Sequence, residues 1–385
     1  MEPELKKILI IGPIGDFGGR EVEVNIMARA FLEHYSVRIF STGYFTARSF
    51  ALKGLSGISW DTLDNKIYEK SIVVRFLAWI SFISNDKKKE IYRYVGNKWV
   101  KKIIDLNALK IRNIDDEVKN ADLVIMPMQL TSNYLNEIVL LCERYIKPCF
   151  VRTTGNIIQV PNPEVLKKVT CFIHHSKANA KNLNRKLYFP YVIIDQCSLN
   201  EDQLLELSIK KKSTPLCFGY LGRLSEEKGI LPLVNFFSET KFPFIVAGDG
   251  EQKLQLLDVI REKTNCKYLG LVPNDKLISF FEIIDVLIIS SYEEAGPLVG
   301  LEAMSAGKVI ISTKVGAMPE RLMNSKNQFW FKNNFTCFDK AINKVGLLDS
   351  EEFYNISKEN RERYLERYSR EVISEQYLQL VKNHL

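Results

Sequence analysis

The stretch DVLIISSYEEAGPLVGLEAMSAGKVIIST, residues 285–313, contains two short apolar runs, DVLIIS and KVIIST, separated by a glycine-containing segment and a helix-length stretch. Such β-branched runs are typical of strands buried on both faces. A strand, a helix and a second strand in succession predict part of a parallel sheet. Between the two strands lie Glu294 and Glu302, with seven residues between them and a Gly296–Pro297 break that a plain amphipathic helix does not need.

The same alternation of apolar runs and helical patterns extends through most of the chain. The predicted strands of the first half are KKILIIG (6–12), SVRIFS (36–41), DLVIMP (122–127), PCFVRT (148–153) and CFIHHS (171–176). After a polar connector at 200–215, LCFGYLG (216–222), FPFIVAG (242–248) and CKYLG (266–270) precede the two strands quoted above. The pattern predicts an α/β protein with two Rossmann-like, doubly wound domains that face each other across a cleft.

The domain boundaries follow from the connector and from the length of 385 residues, which is too long for one ordinary core. We expect a first domain at 1–197 and a second at 198–365, with a final helix at 366–385 that packs back on the first. The chain is predicted to end in a charged helix, roughly 351–385, whose Tyr364, Tyr368 and Tyr377 suit packing on either domain.

Composition narrows the class of protein. Hydrophobic residues make up 46% of the chain and charged residues 26%, as in soluble globular proteins. Seven scattered cysteines without a CxxC pair favour neither a disulfide framework nor a zinc site, and they suit a reducing cytosol. The start MEPELKKILIIG lacks the basic and long apolar regions of a signal peptide, so we expect a cytoplasmic protein.

The net charge of +7 is concentrated in one region. Between residues 66 and 112 there are twelve Lys or Arg and four Asp or Glu. Within it, SIVVRFLAWISFIS (71–84) is too short to span a bilayer, and KKKEIYRYVGNKWVKK (87–102) mixes aromatic and basic residues. Two interpretations stay open: an interfacial segment, 71–102, that binds the anionic inner-membrane surface, or a core helix followed by a solvated basic helix. No nucleic-acid recognition motif accompanies the charge, so a nucleic-acid partner is not expected.

Two strand-to-helix loops are candidate anion sites. In GPIGDFGGREVEVNIMARAF (12–31), Ile14 occupies a position where a dinucleotide fingerprint needs glycine, but Gly18 and Gly19 at the helix start bring backbone N–H groups close to an anion. In FGYLGRLSEEKGILPLVNFF (218–237), Arg223 and Lys228 form a pair of cations suited to a diphosphate. The alternatives are a turn without a ligand and two solvated surface cations.

These pieces in this order resemble the retaining glycosyltransferases of family four, which have the two-domain GT-B fold. The resemblance covers most of the second half and is weaker in the first. The residues that carry it are Gly18–Gly19, GRLSEEKG (222–229), AGDGE (247–251), YLGLV (268–272), Asp285 and SSYEEAGPLVGLEAMSAGKVIIST (290–313).

The resemblance implies roles for individual residues. Glu294 and Glu302 match the family's two glutamates, of which the first meets hydroxyls of the donor sugar and the second meets the ribose of the nucleotide. Arg223 and Lys228 match the cations that stabilise the leaving diphosphate, so Glu294, Arg223 and Lys228 are the expected catalytic residues. The remaining expected donor contacts are backbone N–H groups, at Gly18, Gly19, Gly296, Leu298 and Val299. No metal or other cofactor is implied.

Two features depart from the family pattern. Ala295–Gly296–Pro297 stands where the family has Gly-Phe-Gly, and no histidine follows PCFVRT (148–153). Other polar side chains remain as candidates for the contact that this histidine makes in the family, namely Arg152, Thr153, Thr154, His174 and His175.

The sequence therefore favours transfer of a hexose from a nucleotide diphosphate sugar to an acceptor hydroxyl. The preferred acceptor is a saccharide, above all a lipid-linked saccharide of bacterial surface polysaccharide synthesis (lipopolysaccharide, capsule or exopolysaccharide), at the inner membrane face. Two alternatives remain: a non-catalytic nucleotide-sugar-binding scaffold of a polysaccharide synthase, and a GT-B-like epimerase or phosphorylase.

Overall fold

The computed structural model describes residues 5–85, 88–332 and 334–385. Lys87, at the start of the basic stretch, lies outside them. The chain forms two compact units. Among the described residues, the first unit contains those of 5–174, 180–193 and 374–385, and the second contains those of 175–179 and 194–373. The chain thus crosses between units in the segment 174–194 and again near residue 373.

The first unit is built on a parallel sheet of seven strands within the described residues. The strands are β1 Lys7–Gly12, β2 Ser36–Ser41, β3 Ser59–Thr62, β4 Leu123–Met128, β5 Cys149–Thr153, β6 Cys171–His174 and β7 Tyr191–Ile193. Their order in the sheet is β3-β2-β1-β4-β5-β6-β7. β1 and β4 lie in the middle, and both are buried almost throughout, as the apolar runs predicted.

Helices connect these strands and cover the sheet. They are α1 Gly19–Phe31, α2 Leu63–Lys70, α3 Ile72–Ser84, α4 Lys98–Ile103, α5 Leu106–Lys119, α6 Leu135–Arg144, α7 Pro163–Leu166 and α8 Lys177–Leu183. Val118, Ile138 and Val139 on two of these helices are fully buried against Leu9, Val124 and other strand residues. The core of the unit therefore lies between the sheet and its helices, as in other doubly wound folds.

The second unit repeats the arrangement with six parallel strands among the residues described. These are β8 Phe218–Leu221, β9 Phe244–Ala247, β10 Cys266–Tyr268, β11 Val286–Ile289, β12 Val309–Thr313 and β13 Phe329–Phe331. The order is β10-β9-β8-β11-β12-β13, so the strand order reverses between β8 and β11. In open α/β sheets such a reversal opens a crevice at the carboxyl ends of the strands.

The remaining helices are α9 Glu201–Leu205, α10 Ile230–Ser238, α11 Lys253–Ile260, α12 Leu277–Ile283, α13 Leu298–Ser305, α14 Met318–Arg321, α15 Phe338–Leu347, α16 Ser350–Tyr368 and α17 Arg370–Lys382. α16 begins with a capping box: the Asp349 side chain accepts from the Glu352 N–H, and the Glu352 side chain accepts from the Asp349 N–H. The cap fixes the start of this long helix because both residues satisfy N–H groups that a helix leaves without partners.

The predicted α/β class is confirmed, and each predicted strand is present to within a few residues. The prediction of a single terminal helix at 351–385 is wrong. This segment is divided between α16 and α17 at Ser369, whose backbone is extended, with a ψ of 155°. Tyr364 is fully buried in the second unit, where its hydroxyl donates to Glu201. Tyr377 is buried in the first unit, where its hydroxyl lies 3.1 Å from Glu23.

Within the part of the chain that the structure describes, no helix has both the length and the apolar character needed to cross a membrane.

A buried ion pair in the first unit links α1 to β5. Arg152 and Glu23 are 0% and 2% exposed, and the Arg152 guanidinium donates to the Glu23 carboxylate. Removing one member of such a pair leaves an uncompensated charge in the interior, which costs more than removing both.

We therefore expect Arg152→Met to lower the free energy of unfolding of the first unit by about 3–5 kcal/mol. The double variant Arg152→Met/Glu23→Gln should recover a large part of this loss, because the remaining buried group is then neutral. Urea unfolding of the three proteins measures both values. A double variant no more stable than Arg152→Met alone would contradict the prediction.

Candidate functional site

Two loops at the carboxyl ends of β8 and β11 meet because these strands are neighbours in a parallel sheet. Lys228 lies in the loop after β8, and Glu294 lies in the loop after β11. The Lys228 ammonium donates to the Glu294 carboxylate, and the two side chains are 22% and 19% exposed. A cation and an acid that are 66 residues apart in the chain are thus paired at the point where the strand order reverses.

Hydrogen bonds to backbone carbonyl groups hold the two loops together. The Ser290 hydroxyl donates to the Lys228 carbonyl at 2.7 Å, and the Tyr292 N–H donates to the Glu227 carbonyl at 2.8 Å. Gly229 follows at a φ of +64°, and a Cβ there would lie 2.5 Å from the Ser290 carbonyl oxygen. The glycine next to Lys228 is therefore required by its left-handed backbone and by the close approach of the second loop.

Arg223 belongs to the same loop as Lys228 but is far more exposed. Its side chain is 73% exposed, and its guanidinium lies 4.0 Å from Glu227. The Arg223 carbonyl accepts a hydrogen bond of 2.7 Å from the hydroxyl of Tyr220, which is buried. The backbone at Arg223 is therefore anchored while its guanidinium extends into solvent.

The start of α13 presents polar backbone next to Glu294. Pro297 precedes the helix, which begins at Leu298, and no side chain caps it. The first N–H groups of a helix have no partner inside the helix, so those of Leu298 and Val299 are suited to an anion or a sugar oxygen. Gly296 lies directly before this turn, and all three residues are partly exposed.

Glu302 lies one turn further along α13 and is 7% exposed. Burial raises the pKa of its carboxyl group to about 7. No side-chain hydrogen bond to Glu302 is present among the described residues. The Glu302 carboxyl group is therefore a buried hydrogen-bond acceptor without a side-chain partner among the described residues, close to the start of α13.

A buried ionic cluster supports the loop between the two glutamates. The Arg321 guanidinium donates to both carboxylate oxygens of Asp195, at 2.7 and 2.8 Å, and to the Pro297 carbonyl at 2.6 Å. Burial opposes ionisation of Asp195, but the charge and hydrogen bonds of Arg321, assisted by His175, outweigh it and hold the pKa of Asp195 well below its usual range. The cluster keeps Arg321 aligned on Pro297.

His175 and Arg321 also explain why residue 296 is small. A Cβ at Gly296 would lie 3.0 Å from Arg321 Nη2 and 3.1 Å from His175 Cγ. His175 is buried, and its Nδ1 lies 3.7 Å from Asp195. The structure thus places His175 beneath this loop in the second unit, whereas His174 belongs to the first.

In the first unit, a carboxylate from helix α1 lies against the glycine loop. Glu21, in the first turn of α1, accepts a hydrogen bond of 2.7 Å from the Gly15 N–H. A Cβ at Gly18, where φ is 142°, would lie 2.8 Å from the same carboxylate, whereas nothing lies within 4 Å of a Cβ at Gly19. Gly19 is therefore the open position of the loop.

Of the other polar candidates of the first unit, three are buried and one is partly exposed. Arg152 is bound to Glu23 as described, and Thr153 is 1% exposed, with its hydroxyl 2.8 Å from Nδ1 of the fully buried His174. Thr154 is partly exposed, and its hydroxyl lies 3.5 Å from the Arg20 guanidinium.

Sequence reasoning missed three residues that shape these loops: Arg321, Asp195 and Glu21. Arg321 and Asp195 are 126 residues apart, and neither carries a local motif that indicates the contact. Glu21 had a signal, since an acid in the first turn of a predicted helix after glycines interacts favourably with the helix dipole.

Comparison with known proteins gives a family match for the second unit. Residues 205–363 match the family model described as glycosyl transferases group 1. A lipopolysaccharide 1,2-N-acetylglucosaminetransferase of Salmonella typhimurium is 28% identical over 195 residues, which are 46% of this chain and 50% of that protein. The chain thus spans about half the length of this curated relative.

Solved structures match the whole chain at lower identity. The apo form of WaaB, a lipopolysaccharide outer core galactosyltransferase, superposes with a TM-score of 0.67 at 17% identity, covering 98% of this chain and 100% of that one. Alr3699/HepE from Anabaena, in complex with UDP-glucose, gives 0.70 at 15% identity, covering 98% and 99%. The predicted resemblance to glycosyltransferases with the GT-B fold is confirmed.

The raised pKa of Glu302 predicts a pH-dependent stability. Because the folded pKa of about 7 lies above the usual value of 4.5, folding favours the neutral acid. This contribution is complete below pH 4.5 and is lost as the pH rises through 7. Glu302→Gln keeps a neutral group, so its stability relative to the original protein should increase by about 2–3 kcal/mol between about pH 5 and about pH 8.

Urea unfolding at both pH values measures this difference. Glu262→Gln, which changes an exposed carboxylate in the same unit, is the matched control and should show the same difference at both. A Glu302→Gln effect that does not change with pH would contradict the burial argument.

Proposed function

We propose that this chain, a relative of the group 1 glycosyl transferases, is a retaining hexosyltransferase that uses a nucleotide diphosphate sugar. The observation that carries the proposal is the pairing of Lys228 with Glu294 beside the start of α13. The pair combines a cation suited to a phosphate with a carboxylate suited to sugar hydroxyls, at the carboxyl ends of two adjacent strands.

The main catalytic task is to stabilise the leaving nucleoside diphosphate. Lys228 supplies a point charge held by its loop, and Arg223 supplies an exposed guanidinium that suits phosphate oxygens. Charge that develops in the transition state is stabilised most by groups already oriented toward it. The two cations provide this charge without a metal ion or another cofactor.

Glu294 takes the donor sugar in this proposal. Without donor, its carboxylate is occupied by the Lys228 ammonium and lies 3.2 Å from the Ser291 hydroxyl. When the donor binds, Lys228 turns to the diphosphate and Glu294 accepts hydrogen bonds from two hexose hydroxyls. The ion pair thus holds both side chains close to their working positions before the donor arrives.

The nucleotide is held further along α13. Glu302 accepts hydrogen bonds from the ribose hydroxyls, and the N–H groups of Gly296, Leu298 and Val299 donate to diphosphate or sugar oxygens. In the first unit, the N–H groups of Gly18 and Gly19 at the start of α1 are a second candidate anion site of this proposal. The relative Alr3699/HepE, whose structure contains UDP-glucose, supports a nucleotide sugar as the ligand class.

The reaction breaks the bond between the anomeric carbon and the diphosphate oxygen, and the electron pair leaves with the diphosphate. The acceptor hydroxyl oxygen forms its new bond on the same face of the oxocarbenium-like sugar, and its proton passes to the departing phosphate. The anomeric configuration is retained.

We further propose that the acceptor is a lipid-linked saccharide of bacterial surface polysaccharide and that the protein acts in the cytoplasm at the inner membrane face. The similarity to a lipopolysaccharide N-acetylglucosaminetransferase supports this acceptor class.

Substitution of the two paired residues tests the catalytic roles. A thermal-shift screen with UDP, GDP, ADP and their hexoses identifies the donor, since a ligand that binds only the folded form raises the melting temperature. Slow hydrolysis of that donor by pure protein should then fall at least about 100-fold in Lys228→Ala and in Glu294→Ala, because each removes transition-state stabilisation.

The matched controls are Lys267→Ala and Glu293→Ala, which change exposed residues of the same charge in the second unit. Both should hydrolyse the donor at the original rate. Unchanged turnover in Lys228→Ala and Glu294→Ala would contradict the proposed catalytic roles. Donor binding without turnover by the original protein would favour the non-catalytic scaffold, and donor conversion to a different nucleotide sugar would favour an epimerase.

Removal of metal ions tests the source of positive charge. Because Lys228 and Arg223 provide it in this proposal, EDTA should leave donor hydrolysis within about twofold of its original rate. Activity that disappears with EDTA and returns with Mg²⁺ would contradict metal-independent catalysis.

A further inference from the structure

Helix α3 of the first unit has two different faces. Val74, Ala78 and Ser81 are buried, at a spacing typical of one helix face. The opposite face carries apolar side chains in solvent at the same spacing: Ile72 is 80% exposed, Phe76 59%, Trp79 50% and Ile83 46%. Water is an unfavourable environment for a continuous apolar row of this kind. Such exposed rows mark surfaces that bind an apolar partner.

Further apolar side chains extend this exposed face on α3 and on the neighbouring helix α4. The Phe76 and Trp79 rings lie nearly parallel, with centroids 6.4 Å apart. Val73 and Ile80 are 51% and 37% exposed along one edge of the row. On α4, which packs against α3, Trp99 and Ile103 are 60% and 62% exposed. We call these eight exposed residues of α3 and α4 the apolar face.

Basic residues lie beside the apolar face. Lys98, Lys101 and Lys102 on α4 are exposed. In the described part of the chain, no carboxylate lies within ion-pair distance of these three ammonium groups. Next to them is a shallow pocket of about 570 Å³, lined by Lys101, Lys102, Lys110, Ile103, Asp105 and Tyr134. Asp105 is engaged there as the N-cap of α5, accepting from the Ala108 N–H.

We propose that the apolar face and these lysines dock the first unit on an anionic phospholipid bilayer. Aromatic and aliphatic side chains beside lysines are the combination that binds the headgroup region, where the apolar groups enter the acyl boundary and the ammonium groups meet lipid phosphates. α3 has only 13 residues, so it lies in the interface and does not cross it. The charge of the lysines selects an anionic membrane over a neutral protein surface.

The proposal does not depend on sugar transfer, and its test uses binding alone. Full-length protein is sedimented with vesicles of phosphatidylcholine, with and without phosphatidylglycerol. We expect binding to the anionic vesicles, weakened by salt because the lysines interact through screened charge. Phe76→Ser/Trp79→Ser and, separately, Lys101→Glu/Lys102→Glu should each weaken it at least about 10-fold.

Matched controls change equally exposed residues elsewhere. Leu254→Ser/Leu347→Ser replaces side chains that are 75% and 85% exposed, and Lys340→Glu/Lys344→Glu makes the same change of charge on α15. Both controls should bind anionic vesicles like the original protein. Circular dichroism checks that every variant is folded.

Tryptophan fluorescence locates the contact. Anionic vesicles should shift the emission of the original protein to shorter wavelength, and Trp79→Phe/Trp99→Phe should lose the shift while still sedimenting with the vesicles. Equal binding by face variants and controls would overturn the proposal. So would a dimer in sedimentation equilibrium that the face variants dissociate while vesicle binding is unchanged, because the partner of the face would then be a second copy.

Discussion

The parallel pairing of β8 with β11 is the constraint on which the candidate site depends. The two strands are 65 or more residues apart in the chain, yet their carboxyl ends meet at one sheet edge. Their loops are therefore brought together by backbone hydrogen bonds, and Lys228 and Glu294 are paired as a consequence. Loops that follow neighbouring buried strands position charged groups more accurately than long free loops do, because the strands form a rigid scaffold.

Buried charged side chains of the second unit stabilise the loop at this edge of the sheet. Arg321 connects Asp195 to the Pro297 carbonyl, and Gly296 leaves room for Arg321 and His175 beneath the loop. A buried ion pair is costly to form, so its presence beneath a surface loop is best explained by the geometry it fixes. Ala295–Gly296–Pro297, which departs from the family's usual loop, is thus matched to the residues packed under it.

The two glutamates at 294 and 302 are in different environments, although one short motif contains both. Glu294 is partly exposed and paired with a cation, whereas Glu302 is buried, with a pKa raised to about 7. A paired, hydrated carboxylate suits contact with a reacting sugar, and a buried unpaired acceptor suits fixed hydroxyls such as those of a ribose. Their difference follows from position, since Glu294 precedes α13 and Glu302 lies within it.

The two α/β units, most of their strands and the Glu294 and Glu302 motif could be predicted from the sequence, because long apolar runs and glycine-rich loops are local signals. The sequence did not reveal β3, β7 and β13, which are partly exposed strands at the edges of the two sheets and lack the continuous apolar run of a strand buried on both faces. The folded structure was needed to show that Lys228 contacts Glu294, that Arg321 contacts Asp195, that Arg152 is buried and that one face of α3 is exposed. These depend on contacts between residues far apart in the chain, and no local pattern encodes which distant side chain fills a given space.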